Sequence, residues 1–377
     1  MIKRFTIDGS DALEAQLAHT CSRVADGVCE IVPAAKLEAI VLGGGYGRGE
    51  GGVLKTEAGE QPYNDLEFYI FMRGNRLGNE RTYRGALGAL GEKLSPEAGL
   101  HVEFKVDSIS RLRRSPVSMF SYDLVSGHQV IAGDENIFAR CEHHRDAQKI
   151  PLHEAMRLLF NRCTGLLLAK KHLYIGLNAA EEDFIGRNLA KAQLALGDVV
   201  LAAHGQYHWS VCERVQRLKN LDVSRLPVTA AELQRHHLSG AQFKLYPRRL
   251  SKGADAFCNE HDEISSCGRK LWLWLESRRL KKPFANVREY SLSEMNKCPE
   301  TSSWKNLLIN ARFFGPRVIS LRYPRERLLR ALPLMLWKAD ALGERRLLLF
   351  LQSELRTEAT ALPGLVEAYE KIWRRFN

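Results

Sequence analysis

The sequence predicts an α+β domain followed by an all-helical bundle, and three observations carry that expectation. Short apolar runs at residues 37–42, 66–71 and 100–109 have strand length and composition, and helix-like stretches at 12–32 and 79–94 stand around them. Glycine-rich punctuation is concentrated in this first part of the chain. Beyond about residue 151 the apolar spacing is almost wholly helical.

In chain order, residues 12–32 read as a helix and 37–42 as a short buried strand. A second strand follows at 66–71 and a third at 100–109, with the helix 79–94 between them. Residues 122–125 and 128–134 look like a helix end running into a short edge strand. From Leu152 the residues Leu152, Met156, Leu159, Cys163, Leu166 and Leu167 recur at the i, i+3, i+4, i+7 spacing of an amphipathic helix. The same pattern returns at 183–204, 209–218, 264–280, 325–336, 344–355 and 365–376. The domains are therefore expected at 1–147 and 148–377, the second divisible near 220–262. No period of 20 to 50 residues signals a solenoid.

Length and composition agree with an ordinary globular protein. At roughly 150 residues per domain, 377 residues make two domains or slightly more, and 45% hydrophobic with 26% charged residues excludes disordered and fibrous classes. The longest apolar runs, such as 166–169 and 347–351, fall far short of the roughly 18 residues that span a bilayer. The opening Met1 to Asp8 leads into acidic and polar residues rather than a signal-peptide core. Eight cysteines without a C-x-x-C pair suit a reducing compartment, so a cytoplasmic protein is expected. Cys258, His261 and Cys267, with His236 and His237, do not have the spacing of a zinc site, and neither do Cys141, His143 and His144. A net charge of +11 attracts polyanions without choosing among them.

One segment carries the chemistry. The strand Ala39-Ile40-Val41-Leu42 runs into Gly43-Gly44-Gly45-Tyr46-Gly47-Arg48-Gly49-Glu50-Gly51-Gly52, whose amides lack side-chain cover and can approach a phosphate. A Walker A loop is excluded, since no Gly-Lys followed by Ser or Thr stands in the segment. Gly47, Gly49 and Gly52 fit the dinucleotide fingerprint, but the polar stretch 53–64 with Gly59 and Pro62 leaves no room for the crossover helix.

A third reading accounts for the acids. In a strand, residues i and i+2 share a face, so Asp65 and Glu67 project together beside the glycine loop while Leu66 and Phe68 turn into the core. Adjacent carboxylates repel unless a cation lies between them, and hard oxygen ligands with nucleotide phosphates suit Mg²⁺. A third acid is expected on strand 100–109, where Glu103 is favoured and Asp107 is the alternative.

The strand, the string Gly44-Gly45-Tyr46-Gly47-Arg48-Gly49-Glu50 and the pair Asp65-x-Glu67 resemble the nucleotidyltransferase superfamily that includes DNA polymerase beta. The string is most similar to the nucleotidyltransferase domain of protein-PII uridylyltransferases. The resemblance covers about a quarter of the chain. It implies a mixed sheet with flanking helices, and transfer of a nucleoside monophosphate, AMP or UMP, from an NTP to a hydroxyl with release of pyrophosphate. It also implies two Mg²⁺ ions held by Asp65, Glu67 and Glu103, with Glu103 helping to deprotonate the acceptor. Gly44, Gly45, Tyr46, Gly47 and Arg48 fall at the nucleotide.

Arg48 has two readings, a phosphate donor or an ion-pair partner that holds the loop's shape. Lys191 resembles a lysine that helical domains of such enzymes place against the triphosphate, and it also reads as a solvated helix lysine. In this sequence Glu67 stands where an Asp is usual, and the stretch 51–64 is longer than the family's turn. The acceptor is left open among small molecule, protein and RNA. Aromatics at 205–209 and 310–314 read either as core or as platforms for a base. The rival function is a degenerate nucleotidyltransferase-fold protein that senses a nucleotide or binds RNA or a partner.

Overall fold

The computed structural model describes residues 4–249, 252–315, 318–338 and 342–377. The chain divides into two compact units. The first comprises Met1–Pro151, His204–Asn220 and Ala241–Arg248, and the second Leu152–Ala203, Leu221–Gly240 and Arg249–Asn377. The expected boundary at 147/148 falls inside the first unit, and two later segments return to it.

The elements of the first 151 residues are α1 (Asp11–Ile31), β1 (Leu37–Leu42), the one-turn helix α2 (Gly44–Gly47), β2 (Gly52–Thr56), β3 (Gly59–Tyr63), β4 (Leu66–Met72), α3 (Arg76–Ala98), β5 (Val102–Asp107), α4 (Ile109–Arg114), α5 (Met119–Ser126) and β6 (Gln129–Gly133). Helices follow: α6 (Leu152–Ile175), α7 (Ala179–Ala203), α8 (Val211–Asn220), α9 (Ala230–Leu245), α10 (Ala254–Leu280), α11 (Val287–Leu292), α12 (Ser303–Phe314), α13 (Arg325–Trp337), α14 (Arg345–Leu355) and α15 (Leu362–Phe376). The mixed α and β character expected of the first part and the helical character of the rest are both present.

In the first unit a four-stranded sheet has the order β5-β4-β1-β6. β4 is parallel to β5 and antiparallel to β1, and β6 closes the other edge antiparallel to β1. β4 reads as a near-continuous apolar run because both of its faces are covered. Leu66, Phe68, Ile70 and Met72 join Ile40 and Leu42 under α1 and α3, where Leu13, Leu17, Val24 and Val28 form the inner stripe of α1. Tyr69 and Phe71 join Ala39 and Val41 under Leu112, Leu124, Val125 and Phe138. Burying each large side chain stabilises the fold by roughly 1.5–3 kcal/mol. Two packed faces thus fix β4 firmly enough to carry a site on its N-terminal end.

Residues 51–64 form the hairpin β2–β3, paired from Gly52↔Tyr63 to Thr56↔Gly59. Its tip needs the positive φ of Gly59, +116°.

In the second unit α6 packs on α7 and α10, and α13 on α11 and α14. Trp272 is fully buried, edge-on to Tyr290 and Trp337. Of the aromatics weighed as base platforms, Tyr207 lies edge-on to Tyr122 in the first unit, and Phe313 and Phe314 pack on Phe376 in the second. Among the described residues no helix is long and apolar enough to cross a membrane.

Candidate functional site

β1 delivers the chain to the glycine turn level with the start of β4, where the Gly43 N–H donates to the Glu67 carbonyl at 2.9 Å. The turn then tightens: Gly47 N–H reaches Gly43 O at 2.9 Å and Glu50 N–H reaches Gly45 O at 2.9 Å. Two glycines here answer to space and conformation. A Cβ on Gly47 would lie 2.1 Å from the Leu42 carbonyl oxygen, so no other residue fits. Gly44 has φ +62°, and a Cβ there would stand 3.7 Å from the Glu67 carboxyl carbon.

Tyr46 and Gly47, expected at the nucleotide, are buried. The Tyr46 hydroxyl lies 2.9 Å from the carbonyls of both Gly52 and Tyr63, which share its single proton, and accepts the Tyr63 N–H at 2.7 Å, clamping the two strands of the hairpin at its first pair. Burial raises its phenol pKa, Tyr63's backbone bond opposes this, and the charge of Asp65 adds to it. Gly51 is glycine because a Cβ would meet the Tyr46 ring at 2.2 Å.

The acids divide. Parallel pairing sets Glu67 opposite Glu103, so the two carboxylates stand side by side on the face of the sheet next to Gly44. Asp65 is exposed at the entry to β4, after Asn64 with φ +75°. Asp107 lies opposite Phe71, at the far end of β5, and is engaged there: Arg111 grips both of its oxygens at 2.8 and 2.5 Å, and Arg76 approaches at 3.8 Å. Of the two candidates for third acid, only Glu103 meets Glu67.

Between Glu67 and Glu103 lies a residue that the sequence reading passed over. Lys105 Nζ is 3.3 Å from Glu67 Oε2 and 3.0 Å from Glu103 Oε2. The ammonium sits 5.4 Å over the Tyr69 ring, whose hydroxyl donates to the same Glu67 oxygen at 2.8 Å. Burial pulls the Lys105 pKa down, but the two carboxylates outweigh it and hold the lysine above its ordinary value. Burial and Glu67 push the Tyr69 phenol well up, so it stays a donor. The signal was available: Lys105 is two residues from Glu103 in a strand, hence on the same face. Two carboxylates side by side call for a cation, and hard oxygen donors suit Mg²⁺ as well as an ammonium. Among the described residues, no group of three or more His, Cys, Asp or Glu side chains is arranged to hold a metal ion.

The charged residues of the glycine string turn inward. Arg48 reaches Asp123 on α5 at 3.4 Å, with its side chain only 9% exposed. Tyr207 donates to the same Asp123 oxygen at 3.2 Å and accepts from Arg214 at 2.9 Å. The ion-pair reading of Arg48 is therefore the one with a partner. Glu50, 6% exposed, accepts from Ser210 Oγ at 2.5 Å and from the Val211 N–H at 2.8 Å, capping α8. Lys191 lies on α7 in the second unit.

A cleft of about 460 Å³ runs along β5, lined by Tyr69, Glu103, Lys105, Phe120, Arg76 and Arg84 among others. That is the size of a small-molecule site. Arg84 and His101 on its wall have no ion-pair partner among the described residues.

No protein-family model, curated protein or solved structure matches the chain.

Proposed function

We propose that the first unit is a Mg²⁺-dependent nucleotidyltransferase that moves AMP or UMP from an NTP to a hydroxyl acceptor and releases pyrophosphate. The observation that supports it best is the register pair Glu67↔Glu103 beside the side-chain-free Gly44. A glycine-lined turn and a pair of carboxylates on adjacent parallel strands suit a polyphosphate bridged to acids by a divalent cation.

On this reading Gly44 and Gly45 leave room for the triphosphate, and Asp65 and Glu67 hold its cation. The acceptor oxygen attacks the α-phosphorus, the bond from that phosphorus to the α,β-bridging oxygen breaks, and pyrophosphate leaves. The acceptor's proton passes to the Glu103 carboxylate. Mg²⁺ would supply charge stabilisation for the phosphoryl oxygens and the leaving group. The cleft along β5 has the volume for a small hydroxylated acceptor.

Incubation with each labelled NTP and Mg²⁺, scored by pyrophosphate release, tests the reading. Asp65→Ala and Glu67→Gln should each abolish release. Turnover that survives both substitutions, or no turnover and no NTP binding by the unaltered chain, would refute it. One observation favours a second reading, a nucleotide sensor: Lys105 already satisfies the two acids with a built-in cation. Calorimetric NTP binding without pyrophosphate release would decide for the sensor.

A further inference from the structure

We propose that the Lys105 ammonium permanently occupies one of the cation positions of the site, so that it accepts a single divalent ion and Lys105 itself faces the nucleotide's phosphates. The inference rests on the nucleotidyl-transfer reading and departs from the two-ion arrangement that the family resemblance implies.

Three features carry it. First, Lys105 is bound on two sides by carboxylates and on a third by a ring. Its Nζ contacts Glu67 and Glu103 at 3.3 and 3.0 Å and lies over Tyr69. A half-buried ammonium with two charge-assisted contacts and a ring beneath it is costly to displace, because an incoming ion must replace all three interactions. Second, the oxygens of Glu67 have different roles. Oε2 takes both Lys105 and the Tyr69 hydroxyl, whereas Oε1 has neither contact and stands 3.9 Å from where a Gly44 side chain would begin.

Third, charge limits the site. Glu67 and Glu103 with Lys105 leave one negative charge, which a single divalent cation already outweighs. Two divalent ions beside the ammonium would leave an excess of positive charge before any nucleotide arrived. The Lys105 side chain is 39% exposed, so an N–H not spent on the two carboxylates is available to a phosphate oxygen.

The test counts ions rather than turnover. Mn²⁺ is titrated into the full chain with a non-hydrolysable NTP analogue, and free Mn²⁺ is followed by electron paramagnetic resonance. The unaltered chain should bind one Mn²⁺, Lys105→Arg one, and Lys105→Met two. Lys105→Gln serves as a second charge-removing variant, and thermal melts confirm that each variant is folded. Two ions on the unaltered chain, or one on both charge-removing variants, would overturn the inference and leave the transferase reading intact. No Mn²⁺ or analogue binding by any form would overturn the transferase reading and the inference together.

Discussion

The Glu50 carboxylate accepts the Val211 backbone N–H at 2.8 Å, joining the glycine string to a helix that begins 161 residues later in sequence. An exposed N-cap contributes about 1 kcal/mol. This one is buried and charged, and it also takes Ser210 Oγ and the Cys212 N–H. Glu50→Ala should cost roughly 2–3 kcal/mol, since it strands buried donors at a helix N-terminus. Urea unfolding would measure the loss. Hydrogen exchange should quicken at Val211 and Cys212 while β1 and β4 stay protected. Unchanged exchange in α8 would refute the cap.

The two informative glycines of the turn should fail in different ways. Gly47→Ala forces a Cβ to 2.1 Å from the Leu42 carbonyl oxygen, a backbone atom of a fully buried residue that cannot retreat. Poor expression or a drop of several kcal/mol in stability is expected. Gly44→Ala meets nothing closer than 3.7 Å but holds φ +62°, costing roughly 1 kcal/mol. Its methyl group stands beside the Glu67 carboxyl group, so nucleotide binding should weaken by an order of magnitude or more while the fold survives. Calorimetry with an NTP analogue beside a thermal melt separates the two. A Gly44→Ala protein that binds as tightly as the unaltered chain would show that the turn does not face the ligand.

The fold was legible where periodicity reports burial. β1 was read at its observed limits, and β4 and α1 to within a residue, because their apolar spacing is set by cores on known faces. The hairpin β2–β3 was not read as strands, since Val53 and Leu54 are its only large aliphatic residues and Pro62 sits within β3. What stabilises it is the Tyr46 hydroxyl, a contact invisible to any period. Glu67 beside Gly44 followed from strand geometry, but the split between Glu103 and Asp107 depended on register, which decides that Glu103 and not Asp107 stands across from Glu67. Arg48 reads as a phosphate donor or an ion-pair partner because it sits in a glycine string, and Glu50 in the same string carries no role by itself. Their partners, Asp123, Ser210 and Val211, come from distant segments, and local sequence carries no trace of them.

Tyr46→Phe isolates the clamp. The ring keeps its packing, while the carbonyls of Gly52 and Tyr63 lose a donor and the Tyr63 N–H loses its acceptor. A loss of about 1–3 kcal/mol is expected from unpaired backbone groups. Exchange should rise at Tyr63, and binding of a nucleotide analogue should be reduced no more than the loss of stability explains. A large, selective loss of binding would return Tyr46 to the ligand site.

A pH dependence is built into the second unit at Lys297, which is fully buried. Its Nζ donates to the Ser293 carbonyl at 2.9 Å and stands 5.0 Å over the Tyr290 ring. Burial pulls its pKa down to about 8, with Arg330 and Arg322 adding to the fall and Glu326 and Glu276 opposing it. Because the folded value lies below the ordinary lysine value, the unfolded chain binds the extra proton between about pH 8 and 10.5, and folding stability from this group rises across that window. Below pH 8 both states are protonated and the full cost of a buried charge is present. Lys297→Met removes that cost together with the bond to Ser293, so its net effect at pH 7 combines two opposed terms. The difference between pH 7 and pH 10 does not. Relative to the variant, the unaltered chain should gain up to about 3 kcal/mol on going to pH 10, read from paired urea titrations. Parallel pH profiles for the two proteins would mean that Lys297 keeps its proton in the fold, sustained by Glu326 and Glu276.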